Sequence, residues 1–315
     1  MKLIKPSFEI IEQQSGLDGM FKQVELAGRT CYKSEDKITP DSAKEFVDRM
    51  IKSGHGAMLE HGTVYLEFHV KDPSIVGEEE YHNQQGFLNK LINKYAGNKY
   101  SIVKVNHYYD TAFITTNYRV LVENNWLDDL KYLCKSTSFH EKRICVKFIC
   151  DRGVSHEFVR HRVFSFAQES TRYCNYSKDK FGNEVTFIIP CWMDISEGSI
   201  ELGNYDKTSA RYKDGIVRQI DTIPPYTGVD FIRNLCESES DYLLMLNRGW
   251  TPQQARAVLP NALKTELIMT GFISDWEHFF LLRSNKYGKG GAHPSASELA
   301  DPLYEEFIKL GYLDA

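Results

Sequence analysis

Within fourteen residues, from Arg160 to Tyr173, the chain reads Arg-His-Arg-Val-Phe-Ser-Phe-Ala-Gln-Glu-Ser-Thr-Arg-Tyr. Arg160, Arg162 and Arg172, and His161 when protonated, can make charge-assisted hydrogen bonds to an anion. Arginine forks match phosphate and carboxylate oxygens in two-point contacts. Ser165, Ser170 and Thr171 add hydroxyls, and Gln168 adds an amide. A basic surface helix is the plain alternative. Phe164, Phe166 and Ala167 stand among the donors, however, so the stretch is not simply a solvated face. The mixture points to a pocket for a phosphorylated or otherwise anionic ligand.

Two arginines downstream have the surroundings to join it. Arg256 lies in Ala255-Arg256-Ala257-Val258-Leu259-Pro260, after a capping-box start at Thr251-Pro252-Gln253-Gln254. Arg283 ends the apolar run Phe279-Phe280-Leu281-Leu282, which also carries His278. An arginine desolvated there needs an anionic or hydrogen-bonding partner. Upstream, Glu60-His61 precedes a stretch in which Val64, Leu66, Phe68 and Val70 alternate with polar residues. That pair reads as a metal half-site, an acid/base pair or a structural hydrogen-bond knot. His156 and His161 superficially resemble a zinc-protease motif but stand five apart. Five helical residues turn about 500°, which leaves the rings roughly 140° apart instead of on one face. No metal site is expected.

The elements that must position these groups belong to an ordinary globular chain. At 315 residues it can bury a large core, and 42% apolar with 26% charged residues is typical of soluble domains. A net charge of −5 speaks against a general nucleic-acid binder and for a local basic pocket taking a small anion. No run approaches the roughly 18 apolar residues of a membrane span. The start, Met1 to Pro6, turns polar too soon for a signal peptide. Seven cysteines with no Cys-x-x-Cys pair suit reduced thiols in a cytoplasm.

The expected order is a strand in 5–13, a helix over 20–27, and a helix capped by Thr39 with Pro40 in its first turn and Gly54 as its stop. The strand after His61 follows. Residues 100–122 have strand-like content, 126–133 resemble a helix, and 71–138 carry no chemistry that can be named. A strand at Ile144–Cys150 leads through Asp151–Val159 into the arginine stretch. Val185–Ile189 is a strand, and 194–225 reads as a polar loop or lid punctuated by Pro224-Pro225. A long helix covers 227–248. Capping boxes at Ser274 and Ser295 open the last two helices.

Arg-His-Arg, two residues, Ser, four residues, Ser, one residue, Arg fixes six positions in thirteen residues: Arg160, His161, Arg162, Ser165, Ser170 and Arg172. This spacing resembles the signature of the flavin-dependent thymidylate synthases. The Arg29 region, Glu60-His61, Ala-Arg-x-x-Leu-Pro around Arg256 and the Phe-rich helix ending in Leu282-Arg283 resemble the same family in order. The resemblance implies an α+β fold, with a mixed or antiparallel sheet flanked by helices, in one domain over 1–315 carrying an insertion near 71–138. It implies reductive methylation of dUMP to dTMP without a cysteine nucleophile. FAD is the implied cofactor, with methylenetetrahydrofolate and NADPH as co-substrates, in a homotetramer whose sites are shared between subunits. Carried over by position, His61, Thr63, Arg160, His161, Arg162, Val163, Gln168 and His278 would lie along the flavin. Glu157, Arg160, Gln168, Glu169, Ser170, Thr171, Arg172 and Arg256 would hold the nucleotide. Arg283 would meet the uracil, favouring its ionised form. The chain departs from the pattern at Gln168, where the family often has Glu, and at Phe272 and Ser274, where it often has Asn and Arg near the flavin. A nucleotide- or RNA-binding module and another flavoenzyme on the same fold are the competing readings.

Overall fold

The computed structural model describes residues 1–206, 208–220, 222–223 and 226–314. In chain order, β1 (Lys2–Ile4) and β2 (Ser7–Ile11) precede α1 (Gly16–Tyr32), α2 (Ser42–Lys52) and the one-turn α3 (Gly56–Leu59). Then come β3 (Thr63–His69), α4 (Pro73–Val76), α5 (Glu78–Ala96), β4 (Ile102–Asn106), β5 (Thr111–Asn117) and α6 (Tyr118–Glu123). The site-bearing stretch holds β6 (Arg143–Asp151), α7 (Arg152–Phe158) and β7 (Ser165–Gln168). After it lie β8 (Thr186–Ile188), β9 (Gly198–Tyr205), β10 (Ser209–Tyr212), β11 (Val217–Gln219), β12 (Thr222–Ile223) and β13 (Tyr226–Thr227). The chain closes with α8 (Gly228–Asn247), α9 (Pro252–Ala255), β14 (Lys264–Phe272), α10 (Ile273–Arg283) and α11 (Pro294–Lys309).

The sheet that carries the site runs β2-β6-β14-β7, antiparallel throughout. Of its two central strands, β14 is buried on both faces from Thr265 to Gly271, with Thr265, Glu266 and Thr270 buried among its apolar residues. Leu267 and Met269 join Val146 and Phe148 against Trp276, Phe279 and Phe280 of α10 and Leu299, Leu303 and Phe307 of α11. Ile268, Cys145 and Ala167 face the other way, onto Ala27 of α1. Helix α1 also turns Met20 and Val24 into a second core with Phe46 of α2, Leu66 of β3, Ile114 of β5 and Tyr95 of α5. There β3-β5-β4 make a three-stranded antiparallel sheet. A third core packs β8, β1, β9 and β10 against Ile232, Leu235 and Tyr242 of α8. Pairing is antiparallel in every sheet except at β1–β8. The α+β class read from the sequence holds.

Several local expectations do not. Within the stretch read as a loop or lid, Gly198–Tyr205, Ser209–Tyr212 and Val217–Gln219 are instead strands β9 to β11 of the five-stranded sheet. Their many polar side chains face solvent, which hides the strand pattern. The expected Pro224-Pro225 break lies outside the described residues. Val120–Val122 is helical, because Asn117 accepts the Val120 N–H and caps α6. Helix α1 continues through Gly28 to Tyr32, well past the expected end at Ala27. The caps also move: α2 begins after Asp41 rather than Thr39, and α11 after His293 rather than Ser295. Helix α10 begins after Phe272, whose N–H is taken by Asp275, so Ser274 lies inside its first turn. Gly54 and Gly249, both at positive φ, do end their helices. Residues 71–138, in which no chemistry could be named, contribute β5, α5 and α6 to the second core, and all of β5 is buried. No helix among the described residues is long and apolar enough to cross a membrane.

Candidate active site

The arginine stretch is pinned at both ends and turned outward in the middle. Asp151 accepts the Val154 N–H at 2.7 Å and starts α7. Phe158 and Phe164 are buried on either side of the turn that follows, and Ala167 is buried in β7. Phe164 packs against Gly271 of β14, where an added Cβ would meet its ring at 2.6 Å. Only glycine lets the strand and the ring approach this closely. Arg160 and Arg162 are left exposed, with Val163 61% accessible beside them. Neither guanidinium has a hydrogen-bond or ion-pair partner among the described residues.

His161 turns the other way and is buried. Burial, with Arg283 and His278 beside it, lowers its pKa to about 4. The ring is therefore neutral near pH 7, which removes it from the cationic donors expected of this stretch. Its Nε2 accepts from Arg283 Nε at 3.2 Å. Arg283 Nη1 donates to Glu157 Oε2 at 2.5 Å and its Nη2 to the Glu157 carbonyl at 2.9 Å. Burial lowers the Arg283 pKa, Glu157 opposes that shift and Arg160 adds to it. Of five guanidinium N–H donors three are used, so two remain for a ligand. The exposed His278 ring lies 6.0 Å from that of His161.

The second half of the stretch is spent on its neighbours. Gln168 donates to Ser155 Oγ at 2.9 Å and to Thr265 Oγ1 at 3.2 Å. Glu169, 2% accessible, takes the Lys264 ammonium at 2.8 Å and the Tyr176 hydroxyl at 3.0 Å. The Ser170 N–H binds the Cys31 carbonyl at 2.9 Å. Thr171 Oγ1 accepts from Arg256 Nη1 at 2.9 Å, so the downstream arginine does reach this loop. Arg172 is exposed and lies over the Tyr173 ring, which in turn packs on Tyr32. The structure thus gathers Glu157, His161, His278 and Arg283 in one cluster, and Thr171 and Arg256 in another.

His61 and Thr63 sit deeper. His61 is fully buried at 0%, and its Nδ1 pairs with Thr270 Oγ1 at 2.8 Å. Burial and the nearby Arg143 lower its pKa to about 3. Glu60 points elsewhere, to Arg119 at 2.5 Å, so the two side chains are not paired with each other as an acid/base couple. Thr63 exchanges backbone hydrogen bonds with the Gln13 amide and borders a cavity of about 590 Å³ shared with Tyr65, Cys134 and Lys135. One residue went unnoticed in the sequence. Arg143, at the start of β6, donates to the Glu60 carbonyl, Thr63 Oγ1 and Ser165 Oγ, and stacks on Phe272. It joins the His61 region to the arginine stretch. The only hint was a cation directly before an apolar strand.

Residues 123–310 match the family profile described as thymidylate synthase complementing protein. The chain belongs to that family. Among curated relatives, the flavin-dependent thymidylate synthase of Pyrococcus furiosus is 31% identical over 134 residues, 42% of this chain and 43% of that protein. That of Corynebacterium aurimucosum is 23% identical over 265 residues, 84% of this chain and 67% of the other. That of Mycobacterium avium is 28% identical over 138 residues, and the match spans 47% of its length. Two of these three matches therefore span less than half of the relative. Among solved structures, a UMP/dUMP methylase PolB from Streptomyces cacaoi bound with 5-Br dUMP aligns over 98% of this chain and 93% of its own. Its TM-score of 0.40 at 15% identity is too low to add to the fold described above.

Proposed function

We propose that this family member is a flavin-dependent thymidylate synthase, converting dUMP to dTMP with methylenetetrahydrofolate as carbon donor and NADPH as hydride source. The observation that carries this is the division of the arginine stretch: Arg160 and Arg162 stand exposed, without a side-chain partner among the described residues, on either side of the His161 that meets Arg283, and Arg256 joins the Ser170–Arg172 loop. Two unpartnered guanidiniums, an exposed His278 and the apolar Val163 are a donor set that fits a flat, anionic dinucleotide such as FAD. When bound, the flavin would supply hydride transfer. The protein's part is binding and electrostatics. Arg172 and the Thr171–Arg256 pair take the nucleotide phosphate. The two remaining N–H donors of Arg283 face the uracil edge and favour its ionised form, which raises the nucleophilicity of C5. Glu157 and the neutral His161 hold that guanidinium in place. His61, Thr63 and Gln168 support these surfaces from beneath, with Arg143.

The thiols support a route without a cysteine nucleophile. Burial pushes Cys31, Cys134, Cys145 and Cys236 up to about 11 and Cys174 to about 12. Cys150 and Cys191 are raised as well, so none of the seven is poised as a thiolate. The reading includes a cytoplasmic homotetramer with shared sites and no nucleic-acid partner. The exposed Leu281 and Leu282 on α10, next to Arg283, suit coverage by another subunit. Residues 71–138 are read as an insertion into the family's domain. The test is direct. Protein loaded with FAD, given dUMP, methylenetetrahydrofolate and NADPH, should form dTMP; absence of dTMP from flavin-loaded, dUMP-saturated protein would overturn the assignment.

A further inference from the structure

Beneath the Ser170–Arg172 loop lies an ionic network of two buried carboxylates, Glu169 and Glu266, with half-buried lysines, which the proposed chemistry does not use. Glu266 of β14 meets Lys33 at 2.8 Å, Lys264 at 2.5 Å and Lys147 at 2.6 Å. Lys264 also reaches Glu169 at 2.8 Å, and Lys33 reaches Glu35 at 2.9 Å. The network gathers the end of α1, two sheet strands and the residue that precedes the loop. Backbone bonds run alongside it, Glu169 N–H to the Glu266 carbonyl at 2.8 Å and Ser170 N–H to the Cys31 carbonyl. Burial pushes the Glu266 carboxyl up, but Lys264 and Lys33 outweigh it and hold the group well below the usual range.

Such a network is a poor device for stability alone, because apolar residues of like volume commonly serve a buried site as well or better. Charges can fix direction, which apolar packing cannot. Glu169 is the member that matters here: it is held from opposite ends by Lys264 and Tyr176, and two residues later Thr171 meets Arg256. A shift of Glu169 moves Thr171 and Arg172 with it. We propose that Lys264 is a positioning residue for nucleotide binding, acting through Glu169 to hold the Ser170–Arg172 loop against Arg256. The inference rests on the reading of that loop as the dUMP phosphate site.

The test compares flavin-loaded wild type, Lys264→Arg, Lys264→Met and the double variant Lys264→Met/Glu169→Gln, by dUMP titration calorimetry, steady-state kinetics and melting. The double variant removes the tether without stranding a buried carboxylate, so it guards against simple misfolding. The expected result is a dUMP Kd raised about tenfold in the double variant, the equivalent of one lost charge-assisted contact. Its KM for dUMP should rise by more than its kcat falls, and Lys264→Arg should bind dUMP within about threefold of wild type. A lowered Tm with unchanged dUMP Kd would reduce Lys264 to packing and overturn the proposal. Wild-type protein that binds no dUMP would overturn the proposed function itself, and this inference with it.

Discussion

Residues 160–163 and 168–171 flank strand β7, and both were read as parts of one anion-binding stretch, the first toward the flavin and the second toward the nucleotide. The first group presents two arginines to solvent with no side-chain partner among the described residues, while the second is tied to Ser155, Thr265, Lys264, Tyr176, Cys31 and Arg256. The contrast separates two ways of building an anion site. Donors left unpaired are available to a ligand at once but are placed only by their backbone. Donors already paired are placed accurately, and a ligand must use what they hold in position. Arg283 combines both, with three N–H donors spent on Glu157 and His161 and two in reserve.

The strongest way to break this comparison is Arg283→Ala. It should lower kcat roughly 10²–10³-fold, the range seen when one donor to developing charge is removed. An unchanged kcat would deny Arg283 its place at the uracil. Next, Arg172→Ala should raise the dUMP KM about tenfold with a smaller effect on turnover, as expected for one charge-assisted contact. A changed kcat at constant KM would reassign it. Gly271→Ala drives a methyl into the Phe164 ring, and overpacking of this kind costs about 1–3 kcal/mol. Melting should therefore fall by several degrees, and flavin retention should fall too if Phe164 sets the Arg160–Arg162 turn. A melt identical to wild type would show that the turn is held elsewhere.

A fourth expected effect is one of pH. His161 titrates at about 4 in the folded protein, and near 6.5 in an unfolded chain. Between those values the unfolded chain takes up the proton and the folded one does not. Stability from this group is complete above pH 6.5 and declines as pH falls toward 4. Thermal melts across that window should show Tm dropping with acid, and His161→Asn should flatten the slope. Equal slopes in both proteins would place the acid sensitivity on other groups, His61 first among them.

Much was legible from residue order because it depends on local physics. The apolar periodicity of α2 and α8, the glycine stops at Gly54 and Gly249, and the Thr251–Gln254 capping box are short-range effects. The strands over 194–220 were missed because a sheet face turned to water leaves few apolar residues to count. The caps of α2, α10 and α11 slipped by two residues, in α10 because Asp275 takes the Phe272 N–H and in α11 because the His293 ring takes the Ser295 N–H. Arg143 could not be singled out, since its three acceptors come from distant parts of the chain.

For the arginine stretch the division of labour is similar. Residue types and spacing alone determined that Arg160 to Tyr173 concentrates anion donors, and that Arg256 and Arg283 have surroundings suited to joining them. Only the tertiary structure decided which donors are unspent, that His161 is neutral, and that the buried Glu169 belongs to the lysine–carboxylate network. Donor identity is written in the covalent chain. Whether a donor is satisfied, and whether a ring keeps its proton, depends on burial and on partners brought from 95 or more residues away, as with Glu169–Lys264 and His161–Arg283.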